Sequence, residues 1–166
     1  MIASRICGLA ALLTSLTLAT AAPRPRPSAT GAFEHLRALV GNWAAPLPGG
    51  KSFRASFRLV ANDTALVETY TSSSGKETLT IYTVDNDRLL ATHYCAQGNQ
   101  PRLALSSDAT STLAFDFLDA TNLRDPSASH LHHLELTPNH DELIETEIYR
   151  ASGHDEPERF VFKRTP

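Results

Sequence analysis

Over most of its length the chain alternates between apolar and polar positions with a period of two. From Phe53 to Leu59, apolar side chains alternate with Arg54, Ser56 and Arg58, which is the pattern of a half-buried β-strand. Short polar turns separate the successive runs. Further strands are predicted at about residues 64–71, 78–84, 89–95, 102–106, 112–118, 130–137, 142–149 and 159–164. With a short segment at Trp43, the pattern predicts about ten strands.

One short helix precedes these strands. Phe33, Leu36, Leu39 and Val40 recur at helical spacing, and Gly41 follows as a stop signal. Regularly spaced strands joined by tight turns are typical of a meander that closes into a barrel or packs as a sandwich. Because closure also removes unpaired strand edges, we predict an all-β, antiparallel up-and-down barrel. This domain is expected to span residues 31–166.

The first 21 residues have the layout of a secretory signal peptide. Arg5 is their only charge, an apolar run extends from Ile6 to Ala19, and Ala19-Thr20-Ala21 fits a cleavage site. Residues 22–30 are rich in proline and are predicted to form an extended leader. Since no second long apolar run follows, we expect no membrane span. We expect the mature protein to be exported, either periplasmic or secreted.

The composition of the mature chain limits its partners. Removal of the signal peptide leaves 14 of the 15 basic residues beside all 18 acidic ones. This negative balance disfavours nucleic acid or an anionic membrane as a partner. Cys95 becomes the only cysteine, so no disulfide within the chain can form. A lone thiol is most often buried and inert, and the alternatives are a bond between two chains or a functional thiol.

A short motif links this pattern to a known type of barrel. Gly41-Asn42-Trp43, between an amphipathic segment and a β-meander, resembles the Gly-x-Trp start of lipocalin-like (calycin) barrels. The resemblance implies that Trp43 plugs one end of the barrel and that a basic residue of the last strand packs over it. Arg164 shares its strand face with Phe160 and Phe162 and fits that role.

Three segments make the resemblance more specific. Residues 33–43, 92–102 and 130–136 are similar to a group of uncharacterised exported bacterial lipocalin-like proteins. The mid-chain Thr-Asp-Tyr motif of the lipocalins proper is absent. The resemblance therefore implies a fold and export, and it implies no ligand or reaction.

Residues 92–102 concentrate hydrogen-bonding and titratable groups at the end of a strand and around its turn. These groups are His93, Tyr94, Cys95, Asn99, Gln100 and Arg102. A solubilising loop needs no such chemistry, so the segment suggests a site. The sequence does not decide which face of this strand points inward. Parity with Leu89 and Ala91 places His93 and Cys95 inward, whereas parity with Leu90 places Tyr94 inward.

Glu68 shares a strand face with Leu66 and Tyr70 and is a candidate inward carboxylate. A buried Glu needs a partner, because an isolated buried charge is too costly. Two interpretations stay open: a polar patch that orients a ligand in an apolar cavity, or a hydrogen-bonded core network that fixes strand register. For the first, the predicted ligand-binding residues are Glu68, His93, Tyr94, Cys95, Gln100, Arg102, Phe115 and His132.

The segment from His130 to His133 is a second concentration of polar groups. His130 and His132 lie on one strand face, and two such imidazoles can bind one metal ion. Zinc sites usually need a third or fourth protein ligand, which no adjacent residue supplies. The alternatives are therefore metal or haem ligation and a structural or solvated cluster; the cofactor is unknown and no metal ligand is assigned.

The run from Asp141 to Ile148 contains several acidic residues. Glu142, Glu145 and Glu147 fit an outward, solvated acidic face, with Ile144 and Ile148 directed inward. We therefore assign this face to solubility.

The function favoured by the sequence is an exported barrel that binds a small, largely apolar molecule, oriented by the polar groups of residues 93–102. Its apolar wall would come from Phe53, Phe57, Phe115, Phe117, Phe160 and Phe162. One alternative is a small hydrolase or isomerase that uses His93 with Glu68 or Tyr94 as an acid–base pair. Another is a filled structural barrel without a ligand. Barrels of this shape carry out all three roles, so the fold cannot decide between them.

Overall fold

The computed structural model describes residues 28–109 and 111–166. The predicted signal peptide of residues 1–21, and the predicted leader up to residue 27, lie outside the described residues. Ser28 caps the first helix, because its hydroxyl accepts a hydrogen bond from the Gly31 amide at 3.3 Å. The helix begins at Ala29, so it overlaps the predicted leader at residues 29 and 30.

Ten antiparallel strands form a closed barrel in which strands adjacent in sequence pair with each other and β1 pairs with β10. The predicted all-β up-and-down architecture is confirmed, as is the single N-terminal α-helix of the described chain. The elements are α1 Ala29–Arg37, β1 Gly41–Pro46, β2 Ser52–Val60, β3 Ala65–Thr71, β4 Glu77–Asp85, β5 Arg88–Tyr94, β6 Gln100–Ala109, β7 Thr112–Thr121, β8 His130–Asn139, β9 Glu142–Ala151 and β10 His154–Thr165. A 3-10 turn, Pro48–Gly50, joins β1 to β2. Neither helical segment in these ranges has the length and hydrophobicity needed to cross a membrane.

Some strands extend beyond their predicted ends, because hairpin pairing continues into polar sequence. β10 begins at His154, which pairs with Ala151, whereas the hydrophobic pattern placed its start near residue 159. Similarly, β6 begins at Gln100, which pairs with Thr121. These polar extensions form the rim of the barrel at the end that carries the turns at residues 72–76, 95–99, 122–129 and 152–153, which we call the open end.

Helix α1 covers the opposite end, which we call the closed end. Its apolar stripe buries Phe33 and Leu36 against the barrel interior, and Leu39 follows them into the core. Arg37 donates to the backbone carbonyl of Asp63 in the β2–β3 turn at 3.0 Å, which fixes the helix to the rim. Helical periodicity in the sequence therefore corresponds to a plug for one end of the barrel.

Trp43 and Arg164 complete the closed end in the manner that the lipocalin-like resemblance implies. The indole is 1% exposed and donates from Nε1 to the Leu39 carbonyl at 2.8 Å. The Arg164 guanidinium lies 4.2 Å from the indole ring centroid and donates to the carbonyls of Val40 and Ala38, each at 2.8 Å. Gly41 has φ +132°, and a Cβ there would lie 2.7 Å from Arg164 Nη1, so both backbone and space favour glycine.

Apolar side chains fill the interior next to the closed end. Phe57, Phe115 and Phe162 were predicted to line a cavity, but they are fully buried in the core. Phe115 packs against Tyr82, with 5.8 Å between the ring centroids. The filled half of the barrel therefore leaves the open end as the place for a site.

Candidate functional site

Strand β5 directs His93 into the barrel and Tyr94 out of it. His93 is 2% exposed, together with the buried Leu89 and Ala91 on the same face, whereas Tyr94 is 45% exposed. The open question of the inward face is thus resolved by parity with Leu89. Tyr94 cannot act as the acid–base partner of His93, because successive side chains of a strand point to opposite faces.

Strand β9 has the reverse orientation from the one predicted. Leu143 is fully buried and Glu145 is 2% exposed, so the inward face carries Leu143, Glu145, Glu147 and Tyr149. The assignment of Glu145 and Glu147 to a solvated outer face, with Ile144 and Ile148 inward, is therefore wrong. The physical reason is that partner groups inside the barrel lower the free-energy cost of burying the carboxyls. The alternation by itself cannot reveal those partners.

Glu68 and Glu145 meet in the barrel interior, although β3 and β9 are not adjacent strands. Glu68 is 2% exposed and accepts a hydrogen bond from the Tyr82 hydroxyl at 2.7 Å. The two carboxyl groups also hydrogen-bond to each other, so one of them must keep its proton. The remaining oxygens, Glu68 Oε1 and Glu145 Oε2, are buried and have no hydrogen-bond partner among the described residues.

Burial shifts the titration of this pair strongly. Desolvation raises the pKa of Glu68 from 4.5 to about 7, and hydrogen bonds from Tyr82, Glu145 and Thr80 partly oppose that rise. The pKa of Glu145 is raised well above its usual value by burial and by the charge of Glu68. Both carboxyls are therefore shifted towards the protonated form, and the pair retains a proton to a higher pH than either group would alone.

Glu147 lies one inward position nearer the open end than Glu145. Burial raises the pKa of Glu147 to about 8, and the negative charges of Glu68 and Glu158 add to the rise. Among the described residues, no Lys or Arg forms an ion pair with Glu147. Its carboxyl instead faces a pocket.

This pocket, which we call the mouth pocket, occupies about 300 Å³ at the open end. Its lining residues are Phe53, Tyr70, Thr78, Gln97, Ser129, Glu147, Tyr149, Glu156 and Glu158. Phe53 forms an aromatic group with Tyr70 and Phe160, at centroid distances of 5.3 and 5.1 Å. The mouth pocket thus combines aromatic walls with carboxyl groups.

A chain of hydrogen bonds connects the mouth pocket to the interior. The Tyr149 hydroxyl lies 3.3 Å from His93 Nε2, and Thr80 Oγ1 lies 3.0 Å from His93 Nδ1. Thr80 in turn bonds Glu68. Burial lowers the pKa of His93 to about 4, so this imidazole is neutral at neutral pH. His93 and Glu68 therefore communicate through Thr80, without forming the direct acid–base pair that was considered from the sequence.

Cys95 lies at the end of this chain and is half-buried. Its thiol is hydrogen-bonded by the Tyr149 hydroxyl and by the Gln97 amide, at 3.4 Å for the latter. Burial, the largest influence, raises the pKa of the thiol. A raised pKa disfavours the thiolate that nucleophilic chemistry requires. The Cys95 thiol is therefore not activated as a nucleophile by its surroundings.

The other residues of the predicted site lie apart from the mouth pocket. Gln100 donates to the Gly98 carbonyl at 3.0 Å and accepts from Thr121, within the turn. Arg102 is exposed and pairs with Asp119 at 2.6 Å from Nε. Phe115 belongs to the filled core. The sequence segment 93–102 is therefore divided, with His93 and Cys95 near the pocket and Gln100 and Arg102 on the outer surface of the turn and strand.

The histidine segment of β8 has partners within the protein. His130 Nδ1 lies 2.8 Å from the Ala128 carbonyl, and His132 Nε2 accepts from Arg150 at 2.6 Å. A bulge between Leu131 and His133 interrupts the alternation, so Leu131 is the fully buried residue beside them. Within residues 28–109 and 111–166, no group of three or more His, Cys, Asp or Glu side chains is arranged to hold a metal ion.

The residues that the sequence analysis missed are Glu145, Glu147 and Tyr149. A signal for them was present, since Leu143, Glu145, Glu147 and Tyr149 share parity and would form one face with two apolar members. The competing face, with Ile144 and Ile148, was more apolar and therefore took precedence. Tyr70 and Phe53 were placed on inward faces by their alternation, and the structure confirms that both line the pocket.

Comparison with known proteins adds no functional assignment. No model of a protein family matches the chain, and no curated protein matches it either. The closed barrel is compatible with the lipocalin-like fold that the Gly41–Trp43 motif implies, and family membership stays a prediction. The functional argument therefore depends on the mouth pocket.

Proposed function

We propose that the protein is an exported barrel that binds one small molecule in the mouth pocket, with the apolar part of the ligand against the aromatic walls. The observation that carries this proposal is a pocket of about 300 Å³ at the open end, above a filled core. Cavities of this size that combine aromatic walls with a few polar groups are typical of small-molecule sites.

The geometry supports separate roles for the aromatic and the polar residues that line the pocket. Phe53 and Tyr70, backed by Phe160, offer apolar surface to the ligand. Glu147 and Tyr149 offer hydrogen-bonding groups that can orient it. Because His93 contacts the Tyr149 hydroxyl and Thr80 in turn holds His93, the polar wall is fixed before the ligand arrives, which lowers the entropic cost of binding.

Titration with Nile red, a neutral apolar dye, tests this proposal. Wild-type protein is expected to bind it saturably, at about one dye per chain. Thr78→Trp places an indole in the pocket and is expected to abolish binding, whereas Tyr94→Trp adds an indole on the exposed outer face of the same end and is expected to leave it unchanged. Dye binding that is equal in both variants would show that the dye binds elsewhere, and the proposal would fail.

Native mass spectrometry of protein produced with its own signal provides a test with no chosen ligand. A bound molecule is expected to appear as an added mass that is lost on denaturation and is absent from the Thr78→Trp variant. Retention of that mass by Thr78→Trp would contradict the pocket as the binding site.

One observation favours acid–base catalysis as a second candidate function. The neutral His93 imidazole contacts a pocket-lining hydroxyl, that of Tyr149, and such a pair can relay a proton to a bound molecule. Incubation of the recovered molecule with fresh protein separates the two functions. A change in the molecule's mass or isomer composition that Tyr149→Phe prevents would establish catalysis, and an unchanged molecule would leave binding as the function.

A further inference from the structure

The open end of the barrel is acidic at three depths. Glu156 lies nearest the rim, Glu158 pairs with Glu147 in the strand register and lies at the next depth, and the Glu68–Glu145 pair lies one inward position deeper. The lining of the mouth pocket contains no Lys, Arg or His. Within the described chain, none of these five carboxyl groups forms an ion pair. The mouth pocket therefore has several acidic groups and no basic side chain to offset the charge of those that ionise.

The interior below the mouth pocket is incompletely satisfied. Glu68 Oε1 and Glu145 Oε2 are buried and have no hydrogen-bond partner among the described residues. Buried polar groups in proteins are almost always satisfied, so each exception calls for an explanation. Since Glu145 and Glu147 point inward from the same strand, the unsatisfied pair lies one inward position below the pocket-lining Glu147.

The aromatic walls specify the rest of the ligand. Phe53, Tyr70 and Tyr149 line the same space as Glu147. Aromatic faces attract ammonium and guanidinium groups, and they also bury apolar surface. A hydrated inorganic cation would gain nothing from these rings, whereas an amine on an apolar body would use both the rings and the carboxyls.

We propose that the ligand of the mouth pocket is an organic cation, with an ammonium or amidinium group at Glu147 and an apolar or aromatic body between Phe53 and Tyr70. This inference rests on the proposed binding function and adds the ligand class to it. The cationic group takes the place of the carboxylic proton of Glu147, and it donates hydrogen bonds to the Glu147 carboxylate.

Proton release accompanies binding of such a ligand. Burial holds the pKa of Glu147 at about 8 in the empty pocket, so its carboxyl is largely protonated at neutral pH. A bound cation favours the ionised form and expels the proton. The titratable groups that surround Glu147 are Glu68 and Tyr70 on β3, Tyr82 on β4, His93 and Cys95 on β5, Glu145 and Tyr149 on β9, and Glu156 and Glu158 on β10; β8 places Leu134 opposite it.

Competition against Nile red with three probes of the same shape tests the ligand class. The probes are 1-naphthylmethylamine, 1-naphthalenemethanol and 1-naphthoic acid, which are cationic, neutral and anionic at neutral pH. The amine is expected to bind at least about tenfold more tightly than the alcohol, and the acid not to compete. Calorimetry in buffers of different ionisation enthalpy is expected to show net proton release for the amine only.

Variants assign the effect to the pocket. Glu147→Gln is expected to weaken the amine at least about tenfold and to leave the alcohol within about twofold. Glu77→Gln makes the same substitution at the exposed start of β4 and is expected to change neither affinity. Equal affinity for amine and alcohol, with Nile red still bound, would overturn the cation and leave the binding function intact. Failure of Nile red itself to bind in the pocket would overturn the binding function.

Discussion

Single carboxyl groups decide the chemistry of this barrel. Glu68 and Glu145 share a proton in the interior, and Glu147 stands above them with no basic partner among the described residues. Isolated buried charges cost many kcal/mol, so burial favours the protonated form of each of these carboxyls. These carboxyls therefore retain protons near neutral pH, and their degree of protonation changes with pH in that range.

The same groups predict that stability falls as pH rises from about 4.5, the pKa of the unfolded carboxyls, to about 8. The pKa values of Glu68 and Glu147 are raised by burial to about 7 and about 8, from 4.5. The folded state then holds protons that the unfolded state has released, so stability is lost as pH rises through those values. His93 acts in the opposite sense, since its pKa is lowered to about 4, and its contribution changes only below about pH 6.5.

Thermal unfolding between about pH 6.5 and 8.5 measures this effect without interference from His93. One pKa unit corresponds to about 1.4 kcal/mol, so the loss is expected to be on the order of 2–3 kcal/mol. Glu147→Gln removes one of the protons and is expected to flatten the dependence, while Glu77→Gln is expected to retain the wild-type slope. A stability that does not change over this range would contradict the protonated interior.

At the scale of elements, the closed end depends on contacts between α1, β1 and β10. Arg164 joins them, because its guanidinium covers Trp43 and donates to two carbonyls at the end of the helix. A guanidinium presents several donors in a fixed plane, whereas a lysine ammonium cannot reproduce both bonds and the stacking.

Replacement of Arg164 by lysine should therefore destabilise the barrel. We expect Arg164→Lys to lower the free energy of unfolding by about 1–3 kcal/mol, since at least one carbonyl at the end of the helix loses its donor and the indole loses the stacked guanidinium. Arg159→Lys, at an exposed position of the same strand, is the matched control and is expected to change stability by less than about 0.5 kcal/mol. Urea unfolding of both variants provides the comparison, and equal effects would argue against Arg164 as the joint of the closed end.

At the scale of the whole molecule, the barrel is asymmetric along its axis. The closed end is filled by α1, Trp43 and apolar core side chains, whereas the open end has polar strand extensions and an acidic pocket. The proposed ligand would therefore enter the mouth pocket from the open end. The turns of the open end, at residues 95–99 and 122–129, lie where they can adjust to different bound molecules.

Export is a prediction at this scale and has a direct test. Produced in a bacterium with its own first 21 residues, the protein is expected in the periplasm or the medium. Its mass is expected to match a chain that begins at Ala22, because Ala19 and Ala21 form the small-residue cleavage site. Recovery of the full-length mass from the cytoplasm would contradict the predicted signal peptide. Ala19→Leu is expected to block cleavage, and Ser28→Leu, outside the cleavage site, is the control.

The alternation of apolar and polar residues was sufficient to predict the strands, their number and their up-and-down order. Helical spacing predicted α1, and the lipocalin-like resemblance implied that Trp43 and Arg164 meet at the closed end. These features are local in the chain or belong to a recognisable motif. A period of two distinguishes two faces of a strand without stating which of them is inside. In β2 the inward face was evident from the residues themselves, because Phe53, Phe57 and Leu59 share one face and the arginines lie on the other.

Tertiary structure decided the rest, and β5 and β9 show why. Leu89 and Leu90 gave β5 two equal choices, and Ile144 and Ile148 made the wrong face of β9 the more apolar one. Barrel closure sets both faces at once, since it brings Tyr82 and Glu68 opposite Glu145, which is 77 positions beyond Glu68 in the chain. The sequence by itself determined which residues alternate. Only the folded barrel determined which carboxyls share a proton, because that depends on partners from distant strands.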